Sequence, residues 1–157
     1  AVLGLGLALL GPSSASADHR CGKRVLKGTM SATVTLTTAT GAFTGDGIGV
    51  ATHLGRFTGT QRGTIAPTGD GHFAGVSTWT IVAANGDTLT GTATMTVEGP
   101  PGGEHTTTSV ATITGGSGRF ADATGRFTTV YRVTPVSVGD GKLHNRAEGQ
   151  IKGYISY

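Results

Sequence analysis

Between Thr78 and Thr96 nearly every even position is a threonine, and Trp79, Ile81, Leu89, Ala93 and Met95 stand between them. An apolar residue at every second position is the period of a strand with one wet face and one buried face. The alternation breaks at Ala84-Asn85-Gly86. A three-residue loop ending in glycine fits a type I turn followed by a G1 bulge, since its last residue needs a positive φ. Gly139-Asp140-Gly141 offers a second loop of this kind. Pairing outward from the two loops sets Trp79 against Gly91, Tyr131 against Gly149 and Phe127 against Gly153. Large aromatics lying over strand glycines predict a strongly curved sheet.

Eight extended runs follow from the pattern: 28–38, 47–57, 60–67, 72–83, 87–97, 105–114, 125–138 and 142–157. Their connections are too short for crossover helices, so consecutive strands pair antiparallel. The predicted fold is all-β, an eight-stranded antiparallel up-and-down β-barrel that removes its own edges by closing. The same loop rule applied to Thr58-Gly59-Thr60 and Gly69-Asp70-Gly71 pairs His53 with Ile65, Phe57 with Gln61, Gln61 with Trp79 and Ile65 with Gly75. One face then carries Gly49, Ala51, His53, Phe57, Gln61, Ile65, Phe73, Ser77, Trp79, Ile81, Leu89, Ala93 and Met95. In the last hairpin the matching face carries Phe127, Tyr131, Val133, Ala147, Ile151, Ile155 and Tyr157. The threonines and the Arg132/Glu148 pair fall outside. So do Ile48, Val50 and Leu54, an apolar group that predicts a homo-oligomer.

The first ten residues, AVLGLGLALL, are too short to span a membrane and resemble the apolar stretch of a secretory leader. Ala15-Ser16-Ala17 supplies the small residues of a cleavage site, so 1–17 reads as the remnant of a signal peptide and the protein as secreted. A basic arm, 18–27, and one barrel domain, 28–157, complete the expected organisation. The 157 residues include 28 glycines and 28 threonines, with only 13% charged, a bias toward strands and turns.

The net charge of +3 arises entirely from Arg20, Lys23, Arg24 and Lys27 against Asp18, and residues 28–157 balance eight basic with eight acidic side chains. A barrel without net charge offers no phosphate track, which argues against nucleic-acid binding. Cys21 is the sole cysteine, so no intrachain disulfide forms, and Asp18-His19-Arg20 before it do not fit a lipoprotein signal.

Gly116-Ser117-Gly118-Arg119-Phe120-Ala121 matches G-x-G-x-x-A, but the dinucleotide fingerprint needs a strand–helix crossover that this region lacks. The five histidines are scattered without the close pairs typical of zinc, and no G-x-S-x-G elbow occurs. No cofactor, metal or catalytic residue is therefore assigned. Polar residues on the inner face carry more information, because a buried polar group needs a partner in protein, water or ligand. His53, Gln61, Ser77, Trp79 and Tyr131 are the candidate lining of a ligand cavity. A self-satisfied polar cluster in a filled core is the alternative, since eight-stranded barrels occur both filled and hollow.

The stretch from Ala111 to Gly125, with its Gly115-Gly116-Ser117-Gly118-Arg119-Phe120 turn, resembles the allene oxide cyclase/dirigent-like barrel superfamily. Ala51-Thr52-His53-Leu54-Gly55-Arg56-Phe57-Thr58 and Asn85-Gly86-Asp87 are similar to its secreted bacterial members. The likeness covers most of 28–157. It implies a cavity-bearing eight-stranded barrel, often trimeric, that acts without a cofactor on small hydrophobic or phenolic molecules. The catalytic carboxylates of those enzymes have no matching positions here. The resulting expectation is a small-molecule-binding barrel, in its catalytic form an isomerase or cyclase. A non-catalytic ligand carrier and a cell-surface structural or interaction barrel with a filled core are the alternatives.

Overall fold

The computed structural model describes residues 22–157 apart from Pro101. The expected leader 1–17, the start of the expected basic arm and Cys21 lie outside the described residues. Eight strands follow one another: β1 (Arg24–Thr37), β2 (Ala42–Ala51), β3 (Gly55–Gly69), β4 (His72–Val82), β5 (Thr88–Glu98), β6 (His105–Gly116), β7 (Thr124–Gly139) and β8 (Lys142–Ser156). Each pairs antiparallel with its chain neighbour, and β8 returns to β1, closing the barrel in up-and-down order. Ladder partners traced from Leu36 through Phe43, Gly63, Ser77, Ala93, Ala111, Phe127 and Gly153 return to Leu26. That stagger of ten residues, from 36 back to 26, tilts the strands about 40° and leaves an interior just wide enough for side chains or one small ligand.

Trp79 lies opposite Gly91, Tyr131 opposite Gly149 and Phe127 opposite Gly153, as the alternation predicts. Several boundaries differ from expectation. The first strand starts at Arg24, so Arg24–Lys27 belong to the barrel wall and not to a free arm. Thr58-Gly59-Thr60 is not a turn: β3 runs straight through it, and the chain reverses at residues 52–54 instead. Phe57 therefore pairs with Gly49 and Gln61 with Gly45, while the expected pairing of His53 with Ile65 does not form. The error displaced the partners by an even number of residues, so the inner and outer faces of β2 and β3 were still assigned correctly.

The β3–β4 and β7–β8 tips also differ in detail. Each is a two-residue Asp-Gly turn with both φ positive, at Asp70-Gly71 and Asp140-Gly141. This is the tight hairpin geometry that matches strand twist. A bulge lower down, between Pro67 and Gly69 in one hairpin and Pro135 and Ser137 in the other, shifts the register by one. That shift restores the pairing expected from a three-residue loop.

Ile48 and Val50 are exposed on the outer face, at 65% and 54%. Leu54 is not part of that group. The 52–54 turn carries it into the core, where it is fully buried, with its amide donating to the Ala51 carbonyl at 3.2 Å.

Candidate functional site

The two ends of the barrel are built differently. At one end Leu26, Leu54, Leu89, Phe120 and Ile155 form a continuous buried cluster. Phe120, on a single 3-10 turn (Gly118–Phe120) between β6 and β7, is completely buried and acts as a plug. Its ring meets Tyr157 edge-on at 4.9 Å. The turn is tied to two other loops. The Arg119 amide donates to Asp87 at 3.2 Å, and the Arg119 guanidinium donates to the His53 carbonyl. Asp87 is itself held by the Asn85 amide group, and the Ser117 hydroxyl accepts from both the amide and the hydroxyl of Thr88. The three segments 51–58, 85–87 and 115–120 thus converge on one closed end.

The other end contains space. A cavity of about 170 Å³ lies among Met30, Val34, Leu36, Phe43, Ile65, Phe73, Met95, Val97, Val133 and Leu143. Gln61, Trp79, Thr129, Tyr131 and Asn145 also line it, with His105 on the same wall. The walls exist because inward positions of neighbouring strands alternate large side chains with glycines such as Gly45, Gly47 and Gly59.

Of the five expected lining residues Gln61, Trp79 and Tyr131 face this cavity, while Ser77 and His53 do not. The Gln61 side-chain amide donates to the Ser77 hydroxyl at 2.7 Å and approaches the Met95 sulfur at 3.5 Å. Ser77 stands behind Gln61 as its anchor and does not itself line the cavity. Trp79 donates its indole N–H to the Thr92 carbonyl at 3.1 Å and meets Phe127 edge-on at 5.4 Å, which fixes the ring. The Tyr131 hydroxyl points to the Met30 sulfur at 3.3 Å. Burial raises the Tyr131 phenol above its ordinary pKa, and Thr129 partly opposes that shift, so the group is a neutral donor near pH 7.

His53 stands apart from the cavity. It occupies the β2–β3 turn with φ of 69°, a conformation His tolerates better than bulkier residues, and its ring nitrogen lies 3.3 Å from the Tyr157 hydroxyl at the plugged end. Placing the chain reversal at 58–60 is what put His53 on a strand in the sequence reading.

Asn145, like His105 and Thr129, lines the cavity but is not among the residues expected there from the sequence. It follows the inward alternation Leu143, Asn145, Ala147 on β8, which the sequence shows once the Tyr131/Gly149 register is extended. Its side-chain oxygen is, among the described residues, the one buried side-chain N or O atom without a hydrogen-bond partner. The carboxylates Glu98, Glu104, Asp122 and Glu148 are all exposed. Among the described residues no three His, Cys, Asp or Glu side chains gather as a metal site, and no helix is long and apolar enough to cross a membrane. Comparison with protein-family models, curated proteins and solved structures finds no match to this chain.

Proposed function

We propose that the protein is a secreted small-molecule-binding barrel of the allene oxide cyclase/dirigent-like kind, holding a small hydrophobic or phenolic molecule in its interior. The observation that carries this reading is the cavity of about 170 Å³, mostly apolar, with Gln61, Tyr131 and Asn145 set into its wall. Mostly apolar walls with a few placed polar groups are the usual composition of a ligand site. A purely structural barrel calls for a filled core, and the cavity in the open half of the interior favours the binding reading over it.

Within this reading a carrier is favoured over an isomerase or cyclase by one feature. The ionisable side chains on the cavity wall are Tyr131 and His105, with no carboxylate among them. A catalytic form would act by holding a reactive molecule in one conformation. The exposed Ile48 and Val50 support self-association, for which a trimer is the proposed state and light scattering the test.

Trp79 is the sole tryptophan and lines the cavity, so a titration with small phenols, terpenoid alcohols and short fatty acids is read directly in its emission. Saturable change with at least one class is expected. No response across the panel removes the binding reading and leaves the structural barrel.

A further inference from the structure

Asn145 is 6% exposed and lines the cavity, yet its Oδ1 accepts no hydrogen bond. Its surroundings explain why. Its ladder partners are Val34 on β1 and Pro135 on β7, and its same-face neighbours along β8 are Leu143 and Ala147. None of these side chains carries a donor, and Pro135 lacks even a backbone N–H. Three other polar side chains of the cavity are engaged elsewhere: Gln61 with Ser77, Tyr131 with Met30, and His105 with the Gly103 carbonyl at 2.9 Å. An unpaired buried carbonyl oxygen costs stability, and a leucine at this position would pack against the same neighbours without that cost. The acceptor is thus pre-placed in the cavity wall with no hydrogen-bond partner in the protein.

Size narrows what can satisfy it. An apolar cavity of about 150 Å³ admits benzene, so the space of about 170 Å³ found here takes a single ring or its aliphatic equivalent. We infer that Asn145 is the recognition residue of this cavity and that its ligand is a single-ring or similarly small apolar molecule carrying one hydroxyl, a phenol or alcohol that donates to Asn145 Oδ1. The inference rests on the small-molecule-binding reading and adds the chemical class and the residue that reads it. It also orders selectivity: an analogue with the ring but no donor leaves the Asn145 oxygen buried and unpaired, whereas the hydroxylated ligand does not.

The test is a cycle with two ligands and two proteins. Affinities of p-cresol and p-xylene, similar in size and differing in the donor, are measured by calorimetry for the wild type and for Asn145→Leu. The ratio of the p-xylene to the p-cresol dissociation constant is expected to be about tenfold or more larger in the wild type, with p-xylene still binding the variant. Using the ratio cancels the different costs of drying the two ligands. Asn145→Ala, which removes the acceptor without adding volume, serves if the leucine variant does not fold. Equal ratios in wild type and variant, with both ligands bound, overturn the assignment of Asn145 but leave the binding cavity standing. Failure of both ligands to bind either protein up to their solubility overturns the binding reading itself, and this inference with it.

Discussion

Adding one methyl group at Gly91 separates a barrel held together by aromatic-over-glycine contacts from one that merely contains them. A Cβ at Gly91 falls onto the Thr112 carbonyl oxygen and onto the Trp79 ring, with Trp79 Cε2 at 2.8 Å. Neither neighbour yields easily. The carbonyl belongs to the adjacent strand β6, and the indole is held by its hydrogen bond to the Thr92 carbonyl at 3.1 Å and by Phe127. Overpacking of this kind costs about 1–3 kcal/mol, and turning Trp79 away forfeits a hydrogen bond of about 0.5–1.5 kcal/mol. Reduced freedom of the unfolded chain returns about 0.4–1 kcal/mol. Gly91→Ala is therefore expected to destabilise the protein by about 2–3 kcal/mol, lowering Tm by roughly 6–12 °C for a domain of this size. Urea unfolding followed by Trp79 emission measures it. Gly139→Ala is the control, because no heavy atom lies within 4 Å of its added Cβ. An unchanged midpoint for Gly91→Ala, at unchanged slope, would refute the packing argument.

Three further outcomes follow from the same geometry. Asn145→Leu should raise the stability of the ligand-free protein by about 1 kcal/mol, by removing a buried acceptor that has no partner, and a clear loss in urea unfolding would show that the oxygen is satisfied in solution. Phe120→Ala should cost about 3–5 kcal/mol in the same assay, because it unplugs the packed end, while a loss below 1 kcal/mol would mean the 3-10 turn is not the closure. For Tyr131 the folded pKa is raised, so the unfolded phenol ionises first, at about pH 10. Its contribution is complete below that pH and is lost as pH rises from there through the folded value. Urea midpoints taken between pH 8 and 11 should fall less steeply for Tyr131→Phe, and parallel curves would argue that the phenol is not buried.

How much of this could be read from the chain depends on which interaction set each feature. The barrel was legible because period-2 alternation and aromatic–glycine pairing constrain each other across strands: Trp79, Tyr131 and Phe127 found their glycines. The β2–β3 reversal was not legible. Thr52-His53-Leu54 contains no glycine, and its turn is held by distant groups, the Arg119 guanidinium on the His53 carbonyl and the Ala84 amide on the Leu54 carbonyl. Local propensity therefore favoured the glycine at 59, which is an interior strand position facing the cavity. Gln61, Trp79 and Tyr131 were found because they share a face with apolar neighbours. Asn145 was passed over for the converse reason, since nothing in a sequence shows that a polar side chain will lack a partner. The motifs that carry the family resemblance, at 51–58, 85–87 and 115–120, all meet at the plugged end. What they build is the closed end of the barrel, while the cavity at the opposite end is lined by residues outside these three segments.

The central claim, that a small molecule occupies the interior, is tested most directly at the two methionines. Met30 and Met95 are the only methionines in the chain, and both line the cavity. With their methyl groups labelled with carbon-13, p-cresol added at increasing concentration should shift both resonances along one saturable curve, together with the change in Trp79 emission. If Trp79 or the affinity responds while both methyl resonances stay in place, the ligand sits on the outer surface and the cavity is not the site.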